Sequence, residues 1–143
     1  WYNAREVEAF YEAEWPSEFA VYEHLDAAVQ HVTAALVAAS PPFDGLMGFS
    51  QGGSLALLMA ALLHSGRIHC PPVRFLFIQS SRIPRDPGVV GLFNTPLEMP
   101  ALVCYNEDDT SVLPEETRRL IDKLATPEIV HNSKGGHSLC SLR

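Results

Sequence analysis

Apolar residues occur in short blocks that are separated by segments rich in proline, glycine and polar residues. Four blocks have the length of β-strands, and two of them (VRFLFI and ALVCY) have the apolar density typical of buried parallel strands. The four are residues 46–49, 73–78, 101–105 and 128–131. Residues 51–65 are apolar on nearly every side, which predicts a buried helix that ends at Gly66.

Two other segments have apolar residues spaced three or four positions apart, which predicts amphipathic helices. The first begins with Ser17 as its N-cap and stops at Pro41. Its apolar positions are Tyr22, Leu25, Val29, Val32 and Leu36. The second begins at Pro114 and carries two glutamates in its first turn. We expect residues 1–16 to form a connecting segment, and residues 81–100 to form a loop that contributes to a substrate cover.

Strands that alternate with helices indicate an α/β fold built on a parallel sheet with helices on both faces. A chain of 143 residues fits one domain, residues 1–143, and is long enough to bury a hydrophobic core. No apolar run approaches the ~20 residues of a membrane-spanning helix. The sequence therefore predicts a globular α/β domain without a membrane span.

The net charge of −7 is concentrated at the start of the chain. Residues 1–26 carry seven acidic residues against one arginine, whereas the remaining residues hold ten acids and nine bases. The sequence has no basic patch, so nucleic acid and anionic membranes are not expected as partners. We interpret the acidic segment as a solvated helix face.

The cysteines give a weak indication of the compartment. Cys70, Cys104 and Cys140 are odd in number and lack the spacing of a metal site. They favour a reducing, cytoplasmic environment, and no metal or cofactor is implied. The chain begins with Trp1 instead of methionine, from which we expect a further segment upstream.

One motif points to a specific chemistry. Gly48-Phe49-Ser50-Gln51-Gly52 has the pattern G-x-S-x-G and lies between a predicted strand and a predicted helix. A nucleophile elbow has this context: a sharp turn exposes the serine hydroxyl and aims the next backbone N–H, that of Gln51, at an oxyanion. We expect both flanking glycines to be required because a Cβ at either position would clash. The alternative is a glycine-rich turn that only joins strand to helix.

A serine nucleophile needs a base, and the base needs an acid that orients it. In parallel α/β sheets such residues lie in loops just beyond the carboxyl ends of strands. Asp109 follows the strand at 101–105 and His137 follows the strand at 128–131. The chain order Ser50, Asp109, His137 is the order of the α/β-hydrolases.

Two neighbouring residues are alternatives for these roles. Asp108 could replace Asp109 if the turn differed by one residue, and His131 could replace His137 as the base. We prefer His137 because Gly135 and Gly136 leave its backbone free to bring the ring over Ser50.

Three segments carry a resemblance to a known family. PPFDGLMGFSQGGSLAL, LVCYNEDDTSVLPEE and HNSKGGH resemble the signature regions of the FSH1-type serine hydrolases, which include fungal thioesterases. The resemblance implies an α/β-hydrolase fold, hydrolysis of esters or thioesters, and Ser50, Asp109 and His137 as nucleophile, acid and base. It covers only the later part of the family domain. The family's first strand and the loop after it, which supplies the second oxyanion donor, are absent from these residues.

Two functions are therefore open. The first is a serine esterase or thioesterase that acts on a small acyl substrate through an acyl-serine intermediate. The second is a non-catalytic accessory subunit, in which a protein partner covers the sheet edge left by the absent strands. Retention of all three chemically active residues favours the enzyme, while the missing oxyanion donor predicts weak activity for these residues alone.

Overall fold

The computed structural model describes residues 3–7 and 19–141. These residues form six strands, three α-helices and one 3₁₀ turn. In chain order they are β1 (Asn3–Val7), β2 (Phe19–Glu23), α1 (Leu25–Ala38), β3 (Gly45–Phe49), α2 (Gln51–His64), β4 (Phe75–Gln79), the 3₁₀ turn (Val90–Phe93), β5 (Ala101–Asn106), α3 (Pro114–Ile121) and β6 (Pro127–Asn132).

Strands β3, β4, β5 and β6 form a parallel sheet in that order. The four strands predicted from the sequence are all present, which confirms the α/β fold. Each crossover between neighbouring strands passes through a helix or a long loop, so the strands end at the same edge of the sheet. That edge is where the chemically active residues of the sequence analysis lie.

The hydrophobic core lies on one face of this sheet. Leu76, Ile78 and Val103 are fully buried there, and all three helices contribute buried residues to the same cluster. Helix α2 is its centre, because every residue from Gly53 to Leu62 is buried, as its apolar sequence predicts. Burial of a leucine-sized side chain such as Leu57 stabilises the fold by roughly 1.5–3 kcal/mol.

The opposite face of the sheet is less covered in the described part of the chain. Met47 and Phe75 point to that face and are 61% and 46% exposed. The prediction placed helices on both faces, whereas the buried leucine, alanine and methionine residues of α1, α2 and α3 all belong to the single core cluster.

The predicted helix starting at Ser17 is wrong in its first part. Residues Phe19–Glu23 form β2, which pairs antiparallel with β1, and α1 begins only at Leu25. The Tyr22 N–H donates to Asp86 Oδ2 at 2.9 Å, and the Tyr22 hydroxyl accepts the Arg85 N–H at 2.9 Å. These contacts with a distant loop override the local helical spacing.

The N-terminal segment differs from the prediction where it can be compared. Asn3–Val7 is a strand and not part of a connecting segment. Ser17 and the remainder of residues 1–16 lie outside the described residues. Within residues 3–7 and 19–141, no helix has the length and apolar character needed to cross a membrane.

Candidate active site

Ser50 occupies a strained turn between β3 and α2. Its backbone has φ 54° and ψ −124°, a conformation that non-glycine residues rarely adopt. The strand and helix on either side hold the turn in place. The Ser50 N–H donates to the Gln79 carbonyl at 2.9 Å, and the Ser50 carbonyl accepts the Ser81 hydroxyl at 2.7 Å. This is the geometry of a nucleophile elbow.

The glycines around Ser50 are not equally constrained. A Cβ at Gly48 would lie 2.2 Å from the Gly52 carbonyl oxygen, so only glycine fits there. The prediction that Gly52 is also required is wrong, because a Cβ at Gly52 meets no atom within 4 Å among the described residues. The second crowded position is Gly53, whose Cβ would lie 2.7 Å from the Ser81 hydroxyl. The steric demand therefore arises where α2 crosses the ends of β3 and β4.

His137 joins Ser50 to Asp109. Its Nε2 lies 2.9 Å from Ser50 Oγ, and its Nδ1 lies 2.8 Å from Asp109 Oδ2. The Phe49 ring packs beside the imidazole, with ring centroids 4.8 Å apart. The His137 side chain is 25% exposed and Ser50 is half-buried, whereas the Asp109 side chain is 1% exposed. Of the three residues that we predicted as a group, His137 thus lies within hydrogen-bonding distance of both Ser50 and Asp109.

Asp109 is held as a buried carboxylate. Its side chain is 1% exposed, and its Oδ1 accepts the backbone N–H groups of Ser111 and Val112 at 2.9 and 3.0 Å. Burial acts to raise the pKa of Asp109, but hydrogen bonds from His137, Val112 and Ser111 outweigh it and leave the pKa lowered. A charged carboxylate in this position can orient the imidazole and stabilise its protonated form.

The two alternative residues have other contacts. Asp108 Oδ1 accepts the Gly136 N–H at 2.7 Å, so this carboxylate contacts the backbone of the loop that carries His137. His131 stacks on Tyr105 and its Nδ1 lies 3.1 Å from Glu107. The imidazole bonded to Ser50 is that of His137.

Three amide residues in the site have no counterpart in the predictions. They are the last residues of β4, β5 and β6: Gln79, Asn106 and Asn132. Gln79 Oε1 accepts the Cys140 N–H at 2.9 Å, while Asn132 Nδ2 donates to Cys140 Sγ at 2.9 Å. The signal was present in the sequence, because a polar amide ends three successive apolar strands at the edge where active residues gather.

Gln51 is the first residue of α2 and follows Ser50 directly. Its backbone N–H belongs to the amino end of the helix, where the helix dipole favours negative charge. The N–H that we predicted as an oxyanion donor thus lies next to Ser50. Among the described residues, no group of three or more histidine, cysteine, aspartate or glutamate side chains could hold a metal ion.

Two cavities adjoin Ser50. The larger, of about 410 Å³, is apolar and is lined by four consecutive residues of β3 together with Val32 and Met59. In the described residues β3 is an edge strand of the sheet, paired only with β4. The smaller, of about 250 Å³, is bordered by residues of the 81–100 loop; it is lined by Tyr22, Ser50, Gln51, Ser54, Arg82, Arg85, Ser111 and Val112.

Comparison with known proteins identifies relatives of this chain. The chain is 33% identical to the human protein named esterase OVCA2, over 96% of this chain and 59% of the human protein. It is 31% identical to bovine esterase OVCA2 with the same coverage. The chain therefore spans about three fifths of the length of the curated relatives that it matches. The crystal structure of Zea mays acyl-protein thioesterase 2 shares its fold, with a TM-score of 0.65 and 21% identity over 91% of this chain and 65% of that one.

A family model described as serine hydrolase (FSH1) matches residues 1–142, almost the whole chain. The match agrees with the resemblance noted in the three sequence segments. The chain belongs to the FSH1 serine hydrolase family.

Proposed function

We propose that this chain carries the nucleophile, base and acid of a serine hydrolase that cleaves small acyl esters or thioesters. The observation that supports the proposal is the continuous series of hydrogen bonds from Ser50 through His137 to Asp109. A serine hydroxyl is a poor nucleophile near pH 7 unless a base removes its proton.

In the first half of the reaction, Ser50 Oγ attacks the acyl carbonyl carbon while its proton passes to His137 Nε2. Negative charge then develops on the carbonyl oxygen, where the Gln51 N–H donates a hydrogen bond. The tetrahedral intermediate collapses: the bond to the leaving oxygen or sulfur breaks, and Nε2 gives its proton to the leaving group. The acyl group remains on Ser50 as an ester.

Water completes the reaction. It attacks the acyl-serine carbonyl and loses a proton to His137 Nε2, and the second tetrahedral intermediate releases the carboxylic acid as the proton returns to Ser50 Oγ. Throughout, Asp109 holds the ring through Nδ1 and stabilises its positive charge. No cofactor takes part in these steps.

We assign the smaller cavity to the part of the substrate next to the scissile bond. It adjoins both Ser50 and Gln51, and its walls include the start of the 81–100 loop. This is the loop that the sequence led us to expect as a substrate cover. The three cysteines are free thiols, and the reducing, cytoplasmic location stays a prediction.

The test is active-site labelling with a fluorophosphonate in the complete polypeptide that carries this chain. We expect covalent labelling that is abolished in Ser50→Ala and reduced at least about 10³-fold in rate in His137→Ala. Ser65→Ala is the matched control, because Ser65 is an exposed serine at the far end of α2. Labelling that survives Ser50→Ala, or an unlabelled wild-type protein, would contradict the proposal, and the latter result would favour an accessory subunit.

A matched pair of substrates defines the reaction further. An oxygen ester and a thioester with the same octanoyl group differ only at the leaving atom, so the ratio of their kcat/KM values measures leaving-group preference. Both activities should disappear in Ser50→Ala. If neither substrate is hydrolysed by a protein that fluorophosphonate labels, the assignment of acyl esters as substrates is wrong.

A further inference from the structure

His137 lies on a loop that follows β6 and contains two glycines with positive φ. These are Gly135, with φ 154°, and Gly136, with φ 57°. A segment with this backbone freedom needs contacts that fix it if the imidazole is to stay 2.9 Å from Ser50 Oγ. The contacts come from the carboxyl end of β5.

Asn106 brackets His137 through the backbone on both sides. Its Nδ2 donates one hydrogen bond to the Gly136 carbonyl at 2.9 Å and another to the Ser138 carbonyl at 3.1 Å. Both amide hydrogens are thus used on the residues immediately before and after His137. Asn106 is 1% exposed, and its Oδ1 lies 3.4 Å from Asn132 Nδ2, so the amide is oriented by a neighbour on β6.

Asp108 fixes the same loop from a second direction. Its Oδ1 accepts the Gly136 N–H at 2.7 Å, so the N–H and the carbonyl of Gly136 are both bonded to side chains at the end of β5 and in the turn after it. The fit is close as well, because a Cβ on Gly135 would lie 2.6 Å from Asn106 Cγ. One turn of chain therefore holds the backbone around His137 through Asn106 and Asp108 and holds its ring through Asp109.

We propose that Asn106 and Asp108 are positioning residues that place His137 for proton transfer with Ser50. The inference rests on the proposed function and adds two residues that touch neither substrate nor the reacting atoms. A displacement of about 1 Å in a reacting group lowers the rate by about 10²-fold. Without these contacts, the two glycines would allow displacements of that size.

Asn106→Asp tests whether the hydrogen bonds donated by the buried Asn106 side chain position His137. It keeps the size and shape of the side chain but replaces the two N–H donors with an oxygen that faces the Gly136 and Ser138 carbonyls. We expect kcat and the fluorophosphonate labelling rate to fall about 10²-fold while KM stays within about twofold. The pattern follows because the smaller cavity does not include Asn106.

A matched pair of variants tests the hydrogen bond between Asp108 and the Gly136 N–H. Asp108→Asn retains an oxygen that can accept the Gly136 N–H, whereas Asp108→Ala removes it. We expect Asp108→Ala to lose about tenfold in labelling rate and Asp108→Asn to stay within about twofold of wild type. Because Asp108 is exposed, we expect both of its variants to fold, even if Asn106→Asp does not.

Proton NMR gives a readout that does not depend on activity. The low-field resonance of the His137 Nδ1–H, identified by its loss in His137→Ala, reports the hydrogen bond to Asp109. We expect it to be sharp in wild type and Asp108→Asn, and broadened or lost in Asn106→Asp and Asp108→Ala. An unlabelled wild-type protein with this NMR pattern would overturn the proposed hydrolase and leave the positioning role standing. Unchanged resonance and unchanged labelling in folded Asn106→Asp or in Asp108→Ala would overturn the positioning role.

Discussion

Replacement of Gly48 by alanine should disrupt the turn that carries Ser50, while the same replacement at Gly52 should not. The two glycines flank Ser50 in one pentapeptide, but the structure gives them different surroundings. A Cβ on Gly48 would lie 2.2 Å from the Gly52 carbonyl oxygen and 2.4 Å from its carbonyl carbon. These are backbone atoms, so no side-chain rotation relieves the overlap.

The size of the effect follows from the distances. Ordinary contact for a Cβ begins at 3.4 Å, so α2 and β3 must separate by about 1 Å at the turn. Overpacking of this kind lowers the free energy of unfolding by about 1–3 kcal/mol. A shift of about 1 Å at Ser50 also lowers the labelling rate by about 10²-fold.

Gly52→Ala is the matched control for stability. Gly52 lies in the first turn of α2, and a Cβ there meets no described atom within 4 Å. Alanine in place of glycine in a helix raises the free energy of unfolding by about 0.5–1 kcal/mol. Urea unfolding followed by circular dichroism measures both variants. Equal stability changes in the two variants, or full labelling in Gly48→Ala, would refute the steric argument.

Three further predictions follow from the ionisable groups. Asp109→Asn should lower kcat/KM by about 10⁴-fold with the fold retained, because the amide favours the wrong imidazole tautomer. A loss of kcat/KM of less than tenfold would mean that another residue orients the imidazole. The pKa of Asp109 is lowered from 3.8 on folding, so its stabilisation is complete above pH 3.8 and is lost as pH falls through the folded value. Urea unfolding of wild type and Asp109→Asn between pH 2 and about 7 should show their difference shrinking at the acid end, and a constant difference would contradict this sign. Burial and the neighbouring Cys140 raise the pKa of Cys104 to about 11. Iodoacetamide at pH ~8 should therefore modify the half-buried Cys70 first, which peptide mass spectrometry measures. Early modification of Cys104 would contradict its burial.

The regular part of the fold was predictable from local patterns. Strands β4 and β5 and helix α2 are apolar and largely buried, as their sequences predict. All four parallel strands and α2 were placed within a few residues. The failure at Phe19–Glu23 has a physical cause. Tyr22 continues the apolar spacing of α1, but its backbone and hydroxyl bond to Asp86 and Arg85, more than 60 residues away, and no local pattern records such a contact.

The site residues could be predicted where a side chain with a suitable chemical group also follows directly after a predicted strand. Ser50, Asp109 and His137 each follow a strand and carry groups that a serine hydrolase requires. The supporting contacts were not found because an asparagine at a strand end has many structural uses. The function of Asn106 depends on which backbone carbonyls face it, and that is set by the path of the loop after β6.

The central claim is that Ser50 forms the acyl intermediate, and a trapped acyl-enzyme tests it most directly. The complete protein is mixed with a slowly deacylating octanoyl ester, quenched in acid at successive times, digested and analysed by mass spectrometry. We predict an octanoyl adduct on the peptide that contains Ser50, which forms and then decays as free acid appears. Ester hydrolysis with no adduct on that peptide, or with the adduct on another residue, would contradict the account.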